Sequence, residues 1–270
     1  MMGSEITVVL PSYNGGNYLV QALDSIHSQT YKDWKLVLVD DFSNDNSIQK
    51  AKFLLNDPRI LVTRNPVNLG QARSQNRALY YVTTPYFVQL DSDDWFKPNT
   101  LQVLVDEFRK QPANVAVVSG NMEVVNQTSQ YLLEHNNQSA SYVIKGRNFT
   151  DEYDFMMANI SLWPRCYRAS AVRDVGGWPV DDPYKGRHME DMQLLFRLLD
   201  KYRFHWIDEV LYVHRDHDKS STRKYQREYN HMIEWNMRRV LIRWGDKFEP
   251  VFEFDAAGWK RITQLIPKNN

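Results

Sequence analysis

Three carboxylates fall within four positions at Asp91-Ser92-Asp93-Asp94, directly after the apolar run from Tyr86 to Leu90. Carboxylates crowded at the exposed end of a buried strand repel one another and are costly to hold together. A hard divalent cation relieves that cost, and Mg²⁺ or Mn²⁺ bridged to a phosphorylated ligand suits the donor set. A solvated acidic strand-to-helix turn accounts for the same residues, so the rest of the chain has to decide. A second constellation lies upstream. A nucleotide base could stack on Tyr13 while Asp40 or Asp41 accepts a hydrogen bond from a ring N–H, reading the edge of a uracil-like base. The alternative is local: Tyr13 packs on its neighbours and Asp41 caps a turn. Gly15-Gly16 lacks the third glycine of a dinucleotide fingerprint, and nothing there resembles a P-loop.

These residues need elements that bring them to one place. Ile6 to Leu10, Lys35 to Asp40, Arg59 to Thr63 and Tyr86 to Leu90 read as short buried strands. Tyr18, Leu19, Ala22, Leu23 and Ile26 recur at helical spacing, and further helices are expected from Ser47 through Leu55 and from Asn68 to Tyr81. Strand alternating with helix at this spacing predicts a parallel sheet with helices on both faces. Ligands of such sheets sit at the carboxyl ends of the strands. Those ends are Tyr13, Asp40-Asp41, Asn65 and Asp91-Ser92-Asp93, so the polar residues gather at one edge. Leu101 to Lys110 and Met189 to Lys201 read as helices, Asn114 to Ser119 as a strand, and Phe204 to Ile207 and Val210 to Val213 as two short strands. Between Gly120 and Phe149 the alternation fails, and antiparallel strands or long loops are expected.

Composition excludes several classes. Lys plus Arg and Asp plus Glu both number 33 in 270 residues, so no global field points to nucleic acid. The single cysteine, Cys166, excludes an internal disulfide framework and a Cys-rich zinc site. The chain shows no signal-peptide pattern and no transmembrane stretch, which makes a cytoplasmic protein the expectation.

Val9-Leu10-Pro11-Ser12-Tyr13-Asn14, Leu38-Val39-Asp40-Asp41-Phe42-Ser43, Asn68-Leu69-Gly70 and Leu90-Asp91-Ser92-Asp93-Asp94 follow in this order, with Gly176-Gly177-Trp178 and Glu190-Asp191 later. Together they resemble the inverting glycosyltransferase family 2, of the GT-A fold, over about residues 5 to 222. The resemblance implies an α/β fold: a Rossmann-like, mostly parallel sheet with helices on both faces and a smaller mixed acceptor-side region. It divides the chain into a nucleotide-sugar half (1–120), an acceptor-side half (121–222) and a C-terminal helical extension (223–270).

The resemblance also implies roles. Pro11, Ser12, Tyr13 and Asn14 with Asp40 and Asp41 would hold the base, Asp41 foremost, and Asn68, Gly70 and Arg73 would lie by base and ribose. Asp91, with Ser92 beside it, would meet the ribose or a metal-bound water. Asp93 would bind Mn²⁺ or Mg²⁺ at the diphosphate, with Asp94 a helix cap or outer support. His217, rather than His214, would be the third metal ligand after Asp91 and Asp93. Asp191 would be the general base with Glu190 beside it, although an acidic pair at a helix start also suits the dipole. Arg223 or Lys224, on a mobile loop, would bring charge to the diphosphate. The expected partners are a nucleotide-diphosphate sugar, UDP-linked in preference, and a carbohydrate or other hydroxyl acceptor. A nucleotidyltransferase and a non-catalytic binding module are the rival readings.

Beyond these motifs, Tyr229, Met232, Ile233, Asn236, Met237, Val240, Leu241 and Trp244 mark one helical stripe with arginines nearby. Such a stripe serves core packing, self-association or peripheral contact with the inner face of a membrane.

Overall fold

The computed structural model describes residues 3–135 and 138–269. The chain begins with β1 (Ile6–Ser12), α1 (Gly16–His27), β2 (Trp34–Asp40), α2 (Ser47–Leu55), β3 (Ile60–Arg64), α3 (Gln71–Tyr81) and β4 (Tyr86–Gln89). It continues through β5 (Trp95–Phe96), α4 (Thr100–Lys110), β6 (Val115–Asn126), α5 (Ser129–Glu134), β7 (Ala140–Ile144), α6 (Glu152–Ala158), β8 (Trp163–Arg168) and α7 (Ala169–Asp174). The remainder is α8 (Glu190–Leu199), β9 (Arg203–Asp216), α9 (Ser221–Lys224), α10 (Gln226–Arg243), β10 (Phe248–Phe254) and β11 (Lys260–Pro267). One sheet runs in the order β3-β2-β1-β4-β8-β6-β9-β5, with β7 beside β6, while β10 and β11 form a separate hairpin.

Alternation within the strands explains the two helical layers. Val9, Val37 and Val39 point to one core with Ala72, Ala78 and Leu79 of α3 and with α8. Val8, Leu10, Leu36 and Leu38 point to the other, with Leu19, Leu23 and Ile26 of α1 and Leu101, Leu104 and Phe108 of α4. A strand covered on both faces must be apolar throughout, and burying each such side chain contributes about 1.5–3 kcal/mol. β1 pairs in parallel with β2 and β4, so their carboxyl ends share one edge. Strand β1 continues through Pro11. Val9 serves β4 through its carbonyl and Ser12 serves Asp41, so the missing Pro11 N–H faces β4 beyond the last paired residue.

The second half of the sheet is mixed, and it departs from the expectations in two places. Strand β6 runs on to Asn126, paired antiparallel with β7 and β8 and parallel with β9, and only then gives way to α5. The two short strands expected near residues 204–213 are one 14-residue strand, β9. Asp208 and Glu209 interrupt its apolar pattern where the β6–β9 register shifts. An added Cβ on Gly120 would lie 2.7 Å from the Glu209 carbonyl, so the shift needs glycine there.

The C-terminal stripe is core. Met237, Val240 and Leu241 of α10 pack with Leu194, Leu195 and Phe196 of α8 and with Ile262 of β11. The membrane-surface and self-association readings of that stripe therefore lose their apolar face. The extension is also not wholly helical, because β10 and β11 follow α10. No helix among the described residues is long and apolar enough to cross a membrane.

Candidate active site

The acidic turn is held from beneath by the last strand. Asp94 is buried and accepts from the Tyr212 hydroxyl at 2.8 Å, the Arg215 backbone N–H at 2.8 Å and His214 Nδ1 at 3.2 Å. It is followed by β5, not by a helix, so the helix-cap expectation fails, and its three donors all come from β9. Burial opposes charge on His214, but bonding to Asp94 and the nearby carboxylates raise its pKa to about 9. Burial raises the Asp94 pKa, opposed by the bond to His214 and its charge. This leaves Asp93 to face the cleft, with 36 % of its side chain exposed and His217 Nε2 at 3.0 Å. Burial raises the Asp93 pKa, yet the bond to His217 and the charges of His217 and His214 outweigh it and lower the value overall. Arg215 closes the turn: its Nε donates to the Asp93 carbonyl at 2.9 Å, and its guanidinium lies over the Tyr18 and Trp95 rings.

Of the three residues expected to hold a metal, Asp93 and His217 lie together and Asp91 does not. Asp91 turns away toward Gln71 and Gln89, whose amides donate to it at 3.2 Å, and toward Arg165 Nη2 at 3.9 Å. Burial pushes its carboxyl up to about 7, opposed by Arg165 and reinforced by the charges of Asp94 and Asp93. Among the described residues no group of three or more His, Cys, Asp or Glu could hold a metal. One carboxylate and one imidazole, side by side on the cleft, fit a hard divalent ion, which Asp93 and His217 would hold together with oxygens of a bound ligand.

At the base end, Tyr13 is 49 % exposed at the end of β1, free to stack. The Asn14 N–H donates to Ser43 Oγ at 2.9 Å, and Asn14 Oδ1 accepts from the Asn44 N–H, which joins the two strand-end turns. Gly15 brings the acidic turn close, because an added Cβ would lie 3.0 Å from Ser12 Oγ and 3.4 Å from Ser92 Oγ. Asp40 is buried, accepts from the Ser43 N–H at 2.9 Å and has Arg64 Nε at 3.4 Å. Asp41 turns inward and accepts from the Leu69 and Gly70 N–H groups and from Asn65 Nδ2, each at 2.8 Å. Three of about four carboxylate lone-pair positions are thus taken. Arg187 braces the same segment, donating to Asn68 Oδ1 at 2.7 Å and to the Asn68 carbonyl at 2.9 Å. Arg73 donates to the Lys185 carbonyl at 2.5 Å.

The acidic pair at the start of α8 splits. Glu190 is buried, and burial beside Asp191 raises its pKa well above the carboxylate range. Asp191 reaches the cleft, accepting from Arg165 Nη1 at 2.6 Å and from the Ser161 hydroxyl at 3.2 Å. Arg165 itself was invisible in the sequence reading. It is 2 % exposed on β8, lies over the Trp163 ring at 3.6 Å, and joins Gln89, Asp91 and Asp191. Its sequence signal is a lone charge inside Trp163-Pro164-Arg165-Cys166-Tyr167, a segment otherwise fit for a core. Arg223 is paired with Asp216 through two bonds of 2.6 and 2.8 Å, on the short helix α9 where a mobile loop was expected. A cavity of about 510 Å³ opens beside Ser161 and Trp163, walled also by Ile144, Lys145, Asn159 and Arg261.

Known proteins share this organisation. The sequence profile of Glycosyl transferase family 2 matches residues 7–163, and that of Glycosyl transferase family group 2 matches residues 86–259. Hyaluronan synthase of Pasteurella multocida is 26 % identical over 255 residues, which are 93 % of this chain and 24 % of that protein. The chain thus spans about a quarter of that relative. S. aureus TarS 1-349, solved in complex with UDP-GlcNAc, superposes with a TM-score of 0.66 at 18 % identity, over 88 % of this chain and 66 % of TarS. The mannosyltransferase PcManGT of Pyrobaculum calidifontis, solved with GDP-Man and Mn2+, gives 0.64 at 17 %, over 89 % and 65 %. These neighbours establish the GT-A fold, and the profile match covers more than half of the chain. The chain belongs to glycosyltransferase family 2.

Proposed function

We propose that this chain transfers a sugar from a nucleotide-diphosphate donor, UDP-linked in preference, to a hydroxyl acceptor with inversion at the anomeric carbon. The observation that carries the reading is Arg165: it ties Asp91 of the acidic turn to Asp191, so donor-side and base-side carboxylates share one cleft. TarS was solved with UDP-GlcNAc and PcManGT with GDP-Man and Mn2+, which supports a nucleotide-sugar donor. The base would stack on Tyr13, and a ring N–H would take the remaining lone pair of Asp41. Asp93 and His217 would hold a divalent ion, which supplies neutralisation of the charge on the leaving diphosphate.

The chain's own residues account for the proton. Asp191 accepts it from the acceptor hydroxyl as the new C–O bond forms and the bond to the diphosphate breaks, with the electron pair leaving on the diphosphate. Arg165 and Ser161 hold the carboxylate that takes it. Glu190, buried with its pKa raised by burial and by Asp191, serves as structure and not as base. The cavity beside Ser161 would receive the acceptor; its volume falls within the range of small-ligand sites.

Asp191→Asn tests this reading. Calorimetry with UDP plus Mn²⁺ should give nearly wild-type affinity, while transfer from UDP-sugars to an oligosaccharide panel falls by about 10² to 10⁴-fold. Wild-type transfer by the variant would remove Asp191 from the mechanism. Titration with UDP, GDP and dTDP, each with Mn²⁺ and with EDTA, decides the donor; no binding of any by folded protein would sink the proposal.

A further inference from the structure

A second cavity, of about 530 Å³, lies where the carboxyl end of α8 meets α10, away from the cleft. Asp191 stands at the opposite end of α8, and the six residues to Arg197 rise ~9 Å along the axis. Arg197, Lys201, Arg239 and Arg243 all line this cavity. Their acidic partners are fewer. Asp181 is shared by Arg197 at 3.4 Å and Arg239 at 2.7 Å, Asp200 pairs with Arg243 at 2.7 Å, and Asp174 pairs with Lys201 at 2.9 Å. Four cations therefore meet three carboxylates, and Arg197 has the longest of these contacts. Burial lowers the Arg197 pKa, opposed by the charges of Asp181 and Asp200 and reinforced by those of Arg239 and Arg243.

Two more observations point to a ligand. Asn236, only 4 % exposed, lines the cavity and its amide nitrogen has no partner, leaving a buried donor without an acceptor. The rim carries Trp235, with Arg239 4.9 Å from its ring, and Ile242, which is 65 % exposed. The carboxyl end of a helix disfavours anions by about half a charge. Arg243 already bonds the Phe196 carbonyl there, and the remaining cations outweigh that term.

We propose that the cavity between α8 and α10 is a binding site for a phosphate-type oxyanion, taken between Arg197 and Arg239 and distinct from the donor site. The oxyanion can be a free phosphate group or the headgroup of a phospholipid, whose chains would lie toward Trp235 and Ile242. Guanidinium pairs suit either through two parallel N–H···O bonds.

The full chain, labelled at arginine nitrogen, is titrated with inorganic phosphate and, at equal ionic strength, with sodium chloride. The proposal expects the Arg197 Nε–H signal to shift saturably with phosphate only. Apparent affinity should weaken at least five-fold in Arg197→Gln and by a smaller factor in Arg197→Lys, which keeps the charge but not the planar fork. Sedimentation with phosphatidylglycerol vesicles, against phosphatidylcholine, then assigns the source. Binding lost in Arg197→Gln and in Ile242→Ser identifies a headgroup, and phosphate binding without vesicle binding identifies a free phosphate. If phosphate moves the Arg197 signal no more than chloride does, the proposal is overturned. The wild-type titration decides this even if a variant does not fold, and it is independent of the transferase reading.

Discussion

Arg165 illustrates how a buried charge can be retained for geometry. A fully buried guanidinium is costly, and it is held by Asp191 at 2.6 Å, Ser161, Gln89 and the face of Trp163. Removing it would leave two carboxylates without their cation. Arg165→Gln should cost about 3–5 kcal/mol of stability in urea unfolding. Arg165→Lys keeps the charge but not the planar fork, and its effect should appear mainly in kcat. Arg165 holds the Asp191 carboxylate in place, so kcat should fall in Arg165→Gln while UDP affinity stays near wild type, and part of the kcat should return in Arg165→Lys. A wild-type kcat in Arg165→Gln would mean that Arg165 only packs. His214 gives a second test, through stability. Its folded pKa of about 9 lies above the unfolded value, so the protein binds more protons folded. The stabilisation is complete below about pH 6.5 and is lost as pH rises through about 9. Wild type should therefore exceed His214→Gln by on the order of 2 kcal/mol at pH 6, and that gap should close by pH 10 in thermal melts.

Turns position these side chains, and the Asn68-Leu69-Gly70 turn is the most constrained. Gly70 has φ of +88°, and an added Cβ would sit 3.0 Å from Arg187 Cγ. Gly70→Ala should cost about 1–2 kcal/mol in backbone strain alone. It should also weaken UDP binding, because the Leu69 and Gly70 N–H groups orient Asp41; a wild-type affinity for UDP would separate Asp41 from base recognition. Legibility in the sequence follows the same physics. The parallel half was readable because strands buried on both faces are continuous apolar runs and the helices between them keep period 3.6. Strand β8 was not, since Pro164 and Arg165 break its apolar run, and the reason for Arg165 lies in Asp91 and Asp191, distant in sequence. The continuation of β6 through polar Asn121, Glu123 and Asn126 depends on long-range pairing with β7 and β9. Asp41 was correctly placed at the strand edge, but its three internal donors come from residues 24 to 29 positions away. Motif spacing pointed to the strand-end edge where these residues lie, and only tertiary contacts reveal which lone pairs remain free.

Across the molecule, the cleft joins two halves of one sheet, and the proposed metal site draws one residue from each. Asp93 comes from the turn after β4 and His217 from the end of β9, so an ion between them would bind weakly without further oxygens. On the proposed function a nucleoside diphosphate would supply those oxygens, and the ion in turn would lower the repulsion between diphosphate and the acidic turn. Linkage makes the effect reciprocal: if Mn²⁺ tightens UDP by some factor, UDP tightens Mn²⁺ by the same factor. Thermal melts should therefore show small shifts with UDP alone or Mn²⁺ alone and a larger shift with both than the two shifts combined. A coupling of about 1–3 kcal/mol corresponds to roughly 5- to 150-fold in affinity. Asp93→Ala should abolish the excess while preserving the small UDP shift, since Tyr13 and Asp41 lie on other strand ends. His217→Ala should reduce it, and His214→Gln, whose partner is Asp94, should leave most of it. If His214→Gln instead removes the excess and His217→Ala does not, the assignment of the two histidines is reversed. Additive shifts in the wild type would mean that metal and diphosphate bind independently, contrary to a shared site in the cleft.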